Sequence, residues 1–220
     1  MTDKKPPSPR KRPQQGRSLL LVNAIQEACL IILRDEGPDQ LSTQRIADVA
    51  GVNIASVYQY FPNKEAVLAN VYNEVLQQQA DKAAQHFVEF QELSKLSLEK
   101  TLAAFIDLEA EQLLALYKLN PGFYSEYCHS YDIHGAVDEI TQARHNPSWE
   151  AWFPQFLECH KTRLRSVDVN TMSFIVRNTL RGNLQAAIDD NPLRLEDDEF
   201  RAELLYLLLA YLLVQPDAVS

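Results

Sequence analysis

The stretch from Ser42 to Lys64 reads STQRIADVAGVNIASVYQYFPNK and gathers the chain's densest set of side chains suited to directed polar contacts. Thr43, Ser56, Tyr58 and Tyr60 carry hydroxyls, Gln59 an amide and Lys64 an ammonium, and no carboxylate interrupts residues 54–64. Hydroxyls and an ammonium suit phosphate oxygens. The Gln59 amide can grip an adenine edge with two hydrogen bonds, and Ile54 and Ala55 can touch thymine methyls. Lys64 follows Asn63, a helix-capping residue, so it falls at a helix start where free N–H groups and the helix dipole favour an anion. Together these residues fit a groove floor flanked by phosphates, with double-stranded DNA as the partner.

Such contacts need a scaffold of fixed geometry. Ser42 or Thr43 can cap a short helix over about Thr43–Ala50, Gly51-Val52-Asn53 makes a tight turn, and a second short helix covers about Ile54–Tyr60. Two short helices joined by a three-residue turn describe a helix-turn-helix, whose second helix enters the major groove. Ala47 is small where the helices cross, and Gly51 opens the turn, where a left-handed backbone is cheap only for Gly or Asn. Ile46, Val49, Val52, Val57 and Phe61 supply the inward contacts. Upstream, a helix from Ser18 to about Glu36 carries Leu21, Ile25, Ala28 and Ile32 at spacings of three and four and ends at Gly37-Pro38. Residues 1–17 hold six basic residues, among them Arg10, Lys11 and Arg12, against Asp3 alone, and form a Pro/Lys/Arg arm read as disordered.

Net charge is −9, an argument against nucleic acid until its distribution is considered. Residues 1–64 hold nine Lys/Arg against six Asp/Glu, and residues 65–220 twelve against twenty-four. A basic arm on an acidic body suits an anionic polymer met at the N-terminal end only; the alternative is a disordered tail that merely aids solubility.

The stretch from about Ile25 to Leu68 resembles the N-terminal domain of tetracycline-repressor-like (TetR) regulators. The resemblance lies in Ala28-Cys29, Gly37, Leu41-Ser42-Thr43, Ile46-Ala47, Ala50-Gly51-Val52 and above all Val57-Tyr58-Gln59-Tyr60-Phe61-Pro62-Asn63-Lys64-Glu65. It implies a DNA-binding domain, a helical domain that binds a small effector and dimerises, and repression relieved by that effector. Matching positions imply phosphate contacts from Thr43, Tyr58, Tyr60 and Lys64 and base readout by Ile54, Ala55, Ser56 and Gln59. Asn53-Ile54-Ala55 departs from the Ser-Pro-Gly-like or Ser-Lys-Gly-like residues of many relatives, so no relative's operator sequence carries over. The arm resembles the extensions of some members that reach the minor groove.

The remaining chain predicts helices over about 64–90, 97–118, 121–128, 133–144, 148–164, 170–189 and 196–214, broken at Asn120-Pro121, Asn146-Pro147, Ser166–Asp168 and Asn191-Pro192. The expected fold is all-α: arm 1–17, helix-turn-helix domain 18–64, and effector-binding and dimerisation domain 65–220. Aromatic residues there suit a largely apolar pocket: Phe105, Tyr117, Phe123, Tyr124, Tyr127, Trp149, Trp152, Phe153, Phe156 and Phe174. Polar anchors are sought among His129, His134, His160, Arg177, Asn178 and Arg181, with ordinary core packing the competing reading for each aromatic. The segment Leu204–Leu213 is apolar all round and must be buried on several sides. With Met172, Ile175, Val176, Thr179, Gly182 and Ala186 of the preceding helix, Leu204, Leu208, Tyr211 and Leu212 would form a four-helix interface between two copies. A fully internal helix of a monomer is the alternative.

Other functions find little support. No Gly-rich loop, HExxH or CxxC appears, and Cys128-His129, His134 and Cys159-His160 lack metal-ligand spacing, so neither catalysis, a metal nor another cofactor is expected. Cys29, Cys128 and Cys159 are an odd number without paired spacing, which points to a reducing cytoplasm. The longest apolar run, Leu204–Val214, has 11 residues against roughly 20 for a membrane helix, so no membrane partner is expected. The expected function is a homodimeric transcriptional regulator released from a palindromic operator by a small, largely apolar effector. The alternative is a ligand-binding helical protein that activates transcription or has lost DNA binding.

Overall fold

The computed structural model describes residues 6–11, 15–127, 139, 142–143 and 148–214, without the side chains of 83–88 and 149. The fold is all-α, as the periodicity predicts, and no β-strand forms among the described residues. The helices are α1 (Gly16–Asp35), α2 (Thr43–Ala50), α3 (Ile54–Tyr60), α4 (Lys64–Leu96), α5 (Leu98–Leu119), α6 (Pro121–Tyr127), α7 (Trp149–Cys159), α8 (Val169–Asp190) and α9 (Asp198–Leu212). Short 3-10 turns cover Pro38–Gln40, Lys161–Arg163 and Pro192–Glu196. The helix expected at 133–144 lies almost wholly outside the described residues.

Helix ends follow local chemistry. The Ser18 hydroxyl, expected as the first cap, instead sits inside α1, accepting from the Gln15 N–H at 3.2 Å and donating to the Gln15 carbonyl at 2.7 Å. This starts the helix two residues early, so Gly16 and Arg17 belong to α1 rather than to the arm. The long α4 runs six residues past the expected Phe90 because nothing between Lys64 and Leu96 is Gly or Pro. Ser97 ends it and caps α5: its N–H donates to the Leu93 carbonyl, and its hydroxyl accepts from the Lys100 N–H. The segment expected as a helix to residue 164 stops at Cys159, where the chain turns at His160. Nε2–H of this imidazole donates to the Ser94 carbonyl at 2.7 Å, which removes His160 from the set of free polar anchors.

The chain divides into two compact units, Met1–Gln78 with Leu116–Val137 and Gln79–Ala115 with Asp138–Ser220, so the expected boundary at residue 64 falls inside the first. In the first unit Ile25, Ile32, Leu41, Ile46, Val57 and Phe61 form a fully buried core for α1, α2 and α3. Alone among the described helices, α1 is long and apolar enough to cross a membrane, with a mean hydropathy of 1.5. In the fold its stripe of Val22, Ile25, Ala28, Cys29 and Ile32 is buried in this domain, with α1 packed on α2. Burial pushes the Cys29 thiol up to about 12. Tyr72 on α4 donates its hydroxyl to the Leu116 carbonyl at 2.8 Å and packs its ring, tilted by 37°, against Phe123, tying α4 to α5 and α6.

The second unit packs Phe105 of α5 against Phe153 of α7, with Trp152 stacked on Phe156. Here α8 packs against both α7 and α9. Glu99 at the start of α5 is gripped by the Arg163 guanidinium. That hydrogen bond is the largest influence on the Glu99 carboxyl, holding it down at about 2 against an ordinary value of 4.5.

Two predictions follow from these contacts. Gly51 has φ +66°, so Gly51→Ala forces a side chain into the left-handed region and should cost about 1–2 kcal/mol of stability, measured by urea unfolding. For Glu99, the depressed carboxyl means its stabilisation is present above about 4.5 and is lost as pH falls towards 2. Glu99→Gln should melt below the parent at pH 6, and the gap should close in melts taken towards pH 2.

Candidate functional site

The first unit builds its polar surface on two rigid turns. Ser42 Oγ accepts from the Arg45 N–H at 3.1 Å and so caps α2. At the other end Gly51 adopts its left-handed conformation while the Val52 N–H donates back to the Ala47 carbonyl at 3.0 Å, a closure that satisfies an orphan helix carbonyl. Asn53 Oδ1 then accepts from the Ala55 N–H at 2.8 Å and starts α3. Ile46, Ala47, Val57 and Phe61 are buried, while Val49 and Val52 are half-buried. With this inner face locked, Ala55, Tyr58 and Gln59 are exposed and Ile54, Ser56 and Tyr60 half-buried along one short helix.

Three further contacts brace the surface. Arg45 grips Glu36 with both guanidinium arms, at 2.9 and 2.6 Å, joining the end of α1 to α2. Asn63 Oδ1 accepts from the Ala66 N–H, capping α4 as expected. Lys64, half-buried, donates from Nζ to the Leu41 carbonyl at 3.0 Å, so its ammonium is fixed in place. One donor is engaged there, and an ammonium has three. The braces at Glu36 and Leu41 have no sequence signature: their partners lie 9 and 23 residues apart.

The arm is anchored as well. The Arg10 N–H donates to the Tyr60 carbonyl at 2.7 Å, filling an acceptor that the last turn of α3 leaves open. Arg10 and Lys11 are exposed there, whereas Arg12 lies outside the described residues. Within the expected arm, Arg10 thus finds a backbone partner at a helix end.

The aromatic residues expected to line the pocket belong to both units. In the first unit Tyr117 meets Tyr124 at 5.7 Å and Phe123 meets Tyr127 at 4.6 Å between ring centres. Phe105, Trp152, Phe153 and Phe156 form the buried cluster of the second. Phe174 corrects the expectation outright: it is 62% exposed, and Asn178 beside it is exposed with its amide turned back to the Phe174 carbonyl at 2.7 Å. Trp149 lies in α7 with its side chain outside the description, and His129, His134 and Cys128 lie outside the described residues. Among the described residues no cluster of His, Cys, Asp or Glu could hold a metal ion. A groove of about 460 Å³ in the first unit passes Leu41, Lys64, Leu68, Pro121, Phe123 and Glu126.

The interface residues also divide. Met172, Val176, Leu204, Leu208 and Leu212 are buried within the chain's own second unit, where α8 and α9 face its core, and cannot form an exterior seam. Tyr211 is half-buried with the Arg165 guanidinium 4.6 Å over its ring. Ile175, Gly182 and Ala186 are exposed and Thr179 half-buried on the outer side of α8. On α9 the exposed apolar residues are Tyr206, at 70%, and Leu207, at 47%, which the sequence reading did not single out. Ser173 and Glu150 went unremarked too. The buried Arg177 pairs with Glu150, a contact between separate helices that no spacing rule anticipates.

Comparison with known proteins agrees with this geometry. Residues 25–71 match the family model of bacterial regulatory proteins, tetR family. No curated protein matches the sequence. Among solved structures, one described as a TetR-family transcriptional regulator from Mesorhizobium loti aligns with a TM-score of 0.55 at 18% identity, covering 91% of this chain and 100% of its own. A TetR-family transcriptional regulator from Streptomyces coelicolor aligns at 0.49 and 21% identity, covering 87% and 96%. SmeT, the repressor of the Stenotrophomonas maltophilia multidrug efflux pump SmeDEF, aligns at 0.49 and 17% identity, covering 94% of each chain. The first of these shows a shared fold, and the family match covers the helix-turn-helix itself. Residues 25–71, which hold the helix-turn-helix, are thus similar to the tetR family of bacterial regulatory proteins.

Proposed function

We propose that the protein is a homodimeric transcriptional repressor, working at the bacterial nucleoid in the cytoplasm, that leaves a palindromic operator when a small molecule binds its second unit. The observation that carries this reading is the face of α3. Tyr58 and Gln59 are exposed on a helix held by the Gly51 turn, with Lys64 fixed at one flank and Arg10 anchored at the helix end. Ile54, Ala55, Ser56 and Gln59 read base edges, and Thr43, Tyr58, Tyr60 and Lys64 meet phosphates. Arg10 and Lys11, with Arg12 following, extend the basic surface past the end of α3 towards the neighbouring minor groove.

Two copies are needed to read a palindrome. The outer face formed by Phe174, Ile175, Gly182 and Ala186 of α8 and by Tyr206 and Leu207 of α9 supplies the contact. Large apolar side chains gathered on one face favour a partner surface over water, and a two-fold axis lets the same patch serve both copies. For release, α4 begins at Lys64 and continues unbroken to Leu96 in the second unit, giving an effector a single backbone through which to act. The effector shifts operator occupancy only by its differential affinity for the two states.

Selection of fragmented genomic DNA by the purified protein at near-physiological salt should recover a palindrome of roughly one to two helical turns. Recovery of sequence-independent DNA alone would sink the readout assignment. Against that operator, Lys64→Ala should weaken binding to every sequence and reduce the salt slope by about 0.9, whereas Gln59→Ala should relax discrimination at one base position. Leu207→Glu should shift sedimentation to a single chain and abolish tight operator binding; an unchanged dimer would move the interface elsewhere.

A further inference from the structure

Inside the second unit, α8 carries two polar side chains that its own fold leaves incompletely used. Ser173 is 1% exposed, and its Oγ has no hydrogen-bond partner. Arg177, one helical turn on and 8% exposed, has no partner at Nε. Its Nη2 donates to Glu150 Oε1 of α7 at 2.9 Å. The Nε–H and Nη2–H bonds leave the same edge of the guanidinium, the edge that grips a carboxylate with two parallel hydrogen bonds. Glu150 thus fills half of that edge from the outside, with its own side chain 68% exposed.

A buried guanidinium and a buried hydroxyl are costly to leave unpaired. Spacing of i and i+4 places Ser173 and Arg177 on one face of α8, which carries the Ser173 Oγ–H and the Arg177 Nε–H and Nη2–H donors. On α7, Glu150 shares its stripe with Phe153 and Leu157, both fully buried, and Phe153 leads on to Phe105 and Trp152. Donors for an anion therefore stand beside an apolar cluster.

We propose that Ser173 and Arg177 form the head-group subsite of the effector site and that it takes the carboxylate of an organic acid with an apolar body. The inference rests on the effector reading above and narrows the ligand class from apolar to acidic and amphipathic. The incoming carboxylate takes both bonds of the guanidinium edge and the Ser173 hydroxyl, and Glu150 swings into solvent. One carboxylate replaces another on Arg177, so the buried charge balance is unchanged. The exposed position of Glu150 makes it the displaceable member of the pair.

The test titrates the full-length protein calorimetrically with decanoate, 4-phenylbutyrate and 2-naphthoate, each beside its matched alcohol. At least one acid should bind, with its alcohol weaker by about tenfold or more. Ser173→Ala and Arg177→Lys should each weaken that acid while leaving the melting temperature near the parent's, and Glu150→Gln should tighten it by removing the competitor. Binding by no acid, equal binding of acid and alcohol, or acid binding indifferent to both α8 variants would overturn the proposal. So would a Ser173→Ala effect confined to stability, the signature of a hydroxyl that holds only a water. Operator binding without any added acid is measured in parallel and judges the DNA reading separately. An alcohol that releases DNA as well as its acid would keep the effector reading and remove the carboxylate subsite.

Discussion

At Gly51 the backbone passes through φ +66°, and the Val52 N–H returns to the Ala47 carbonyl. That closed turn lets α3 leave α2 at a fixed angle, and the surface of the first unit depends on it. Ile46 and Ala47 of α2 and Val57 of α3 are fully buried because the turn folds α3 against α2, which itself packs on α1. Once those residues face inward, the helical repeat leaves Ala55, Tyr58 and Gln59 outside without further instruction. A β-branched or bulky residue at 51 would strain the turn and swing the reading helix off its bed.

Around this core, small electrostatic and hydrogen-bonded contacts set position rather than supply much stability. The Glu36–Arg45 pair is solvent-facing, where such bridges contribute little energy. Its two-armed geometry nonetheless fixes where α1 ends relative to α2. The Lys64–Leu41 bond is similar: it restricts an otherwise flexible side chain at the start of α4. Pre-positioning of this kind lowers the ordering cost of meeting a phosphate. The arm at Arg10 gains the same benefit from one backbone hydrogen bond at the end of α3.

The second unit answers a different demand. Its core is aromatic, with Trp152, Phe153 and Phe156 from one turn-and-a-half of α7 set against Phe105 of α5. Pro154 lies among them and removes one helix donor. Polar groups buried close to such a core are expensive unless bonded, so Ser173, Arg177 and the His160 imidazole stand out from the apolar packing around them. His160 is satisfied by the Ser94 carbonyl; the α8 pair is satisfied only in part.

The sequence by itself determined the helical class, the limits of α2 and α3, the Asn63 cap and the outward set on α3, because each depends on contacts within a few residues. Helix periodicity, Gly and Asn at turns and capping oxygens act locally, and the residues that obey them are legible one turn at a time. Only the tertiary structure decided which side of an apolar helix faces home. The run Leu204–Leu213 reads as apolar all round, yet Leu204, Leu208 and Leu212 are buried in their own unit while Tyr206 and Leu207 are exposed. Nothing within α9 distinguishes these leucines; the position of α8 against it does. For the same reason Phe174 reads as a pocket residue and stands in solvent, and the aromatic residues expected to line the pocket belong to both units. The Arg177–Glu150 pair and the Lys64–Leu41 bond join residues 27 and 23 positions apart, a separation at which no local rule has force.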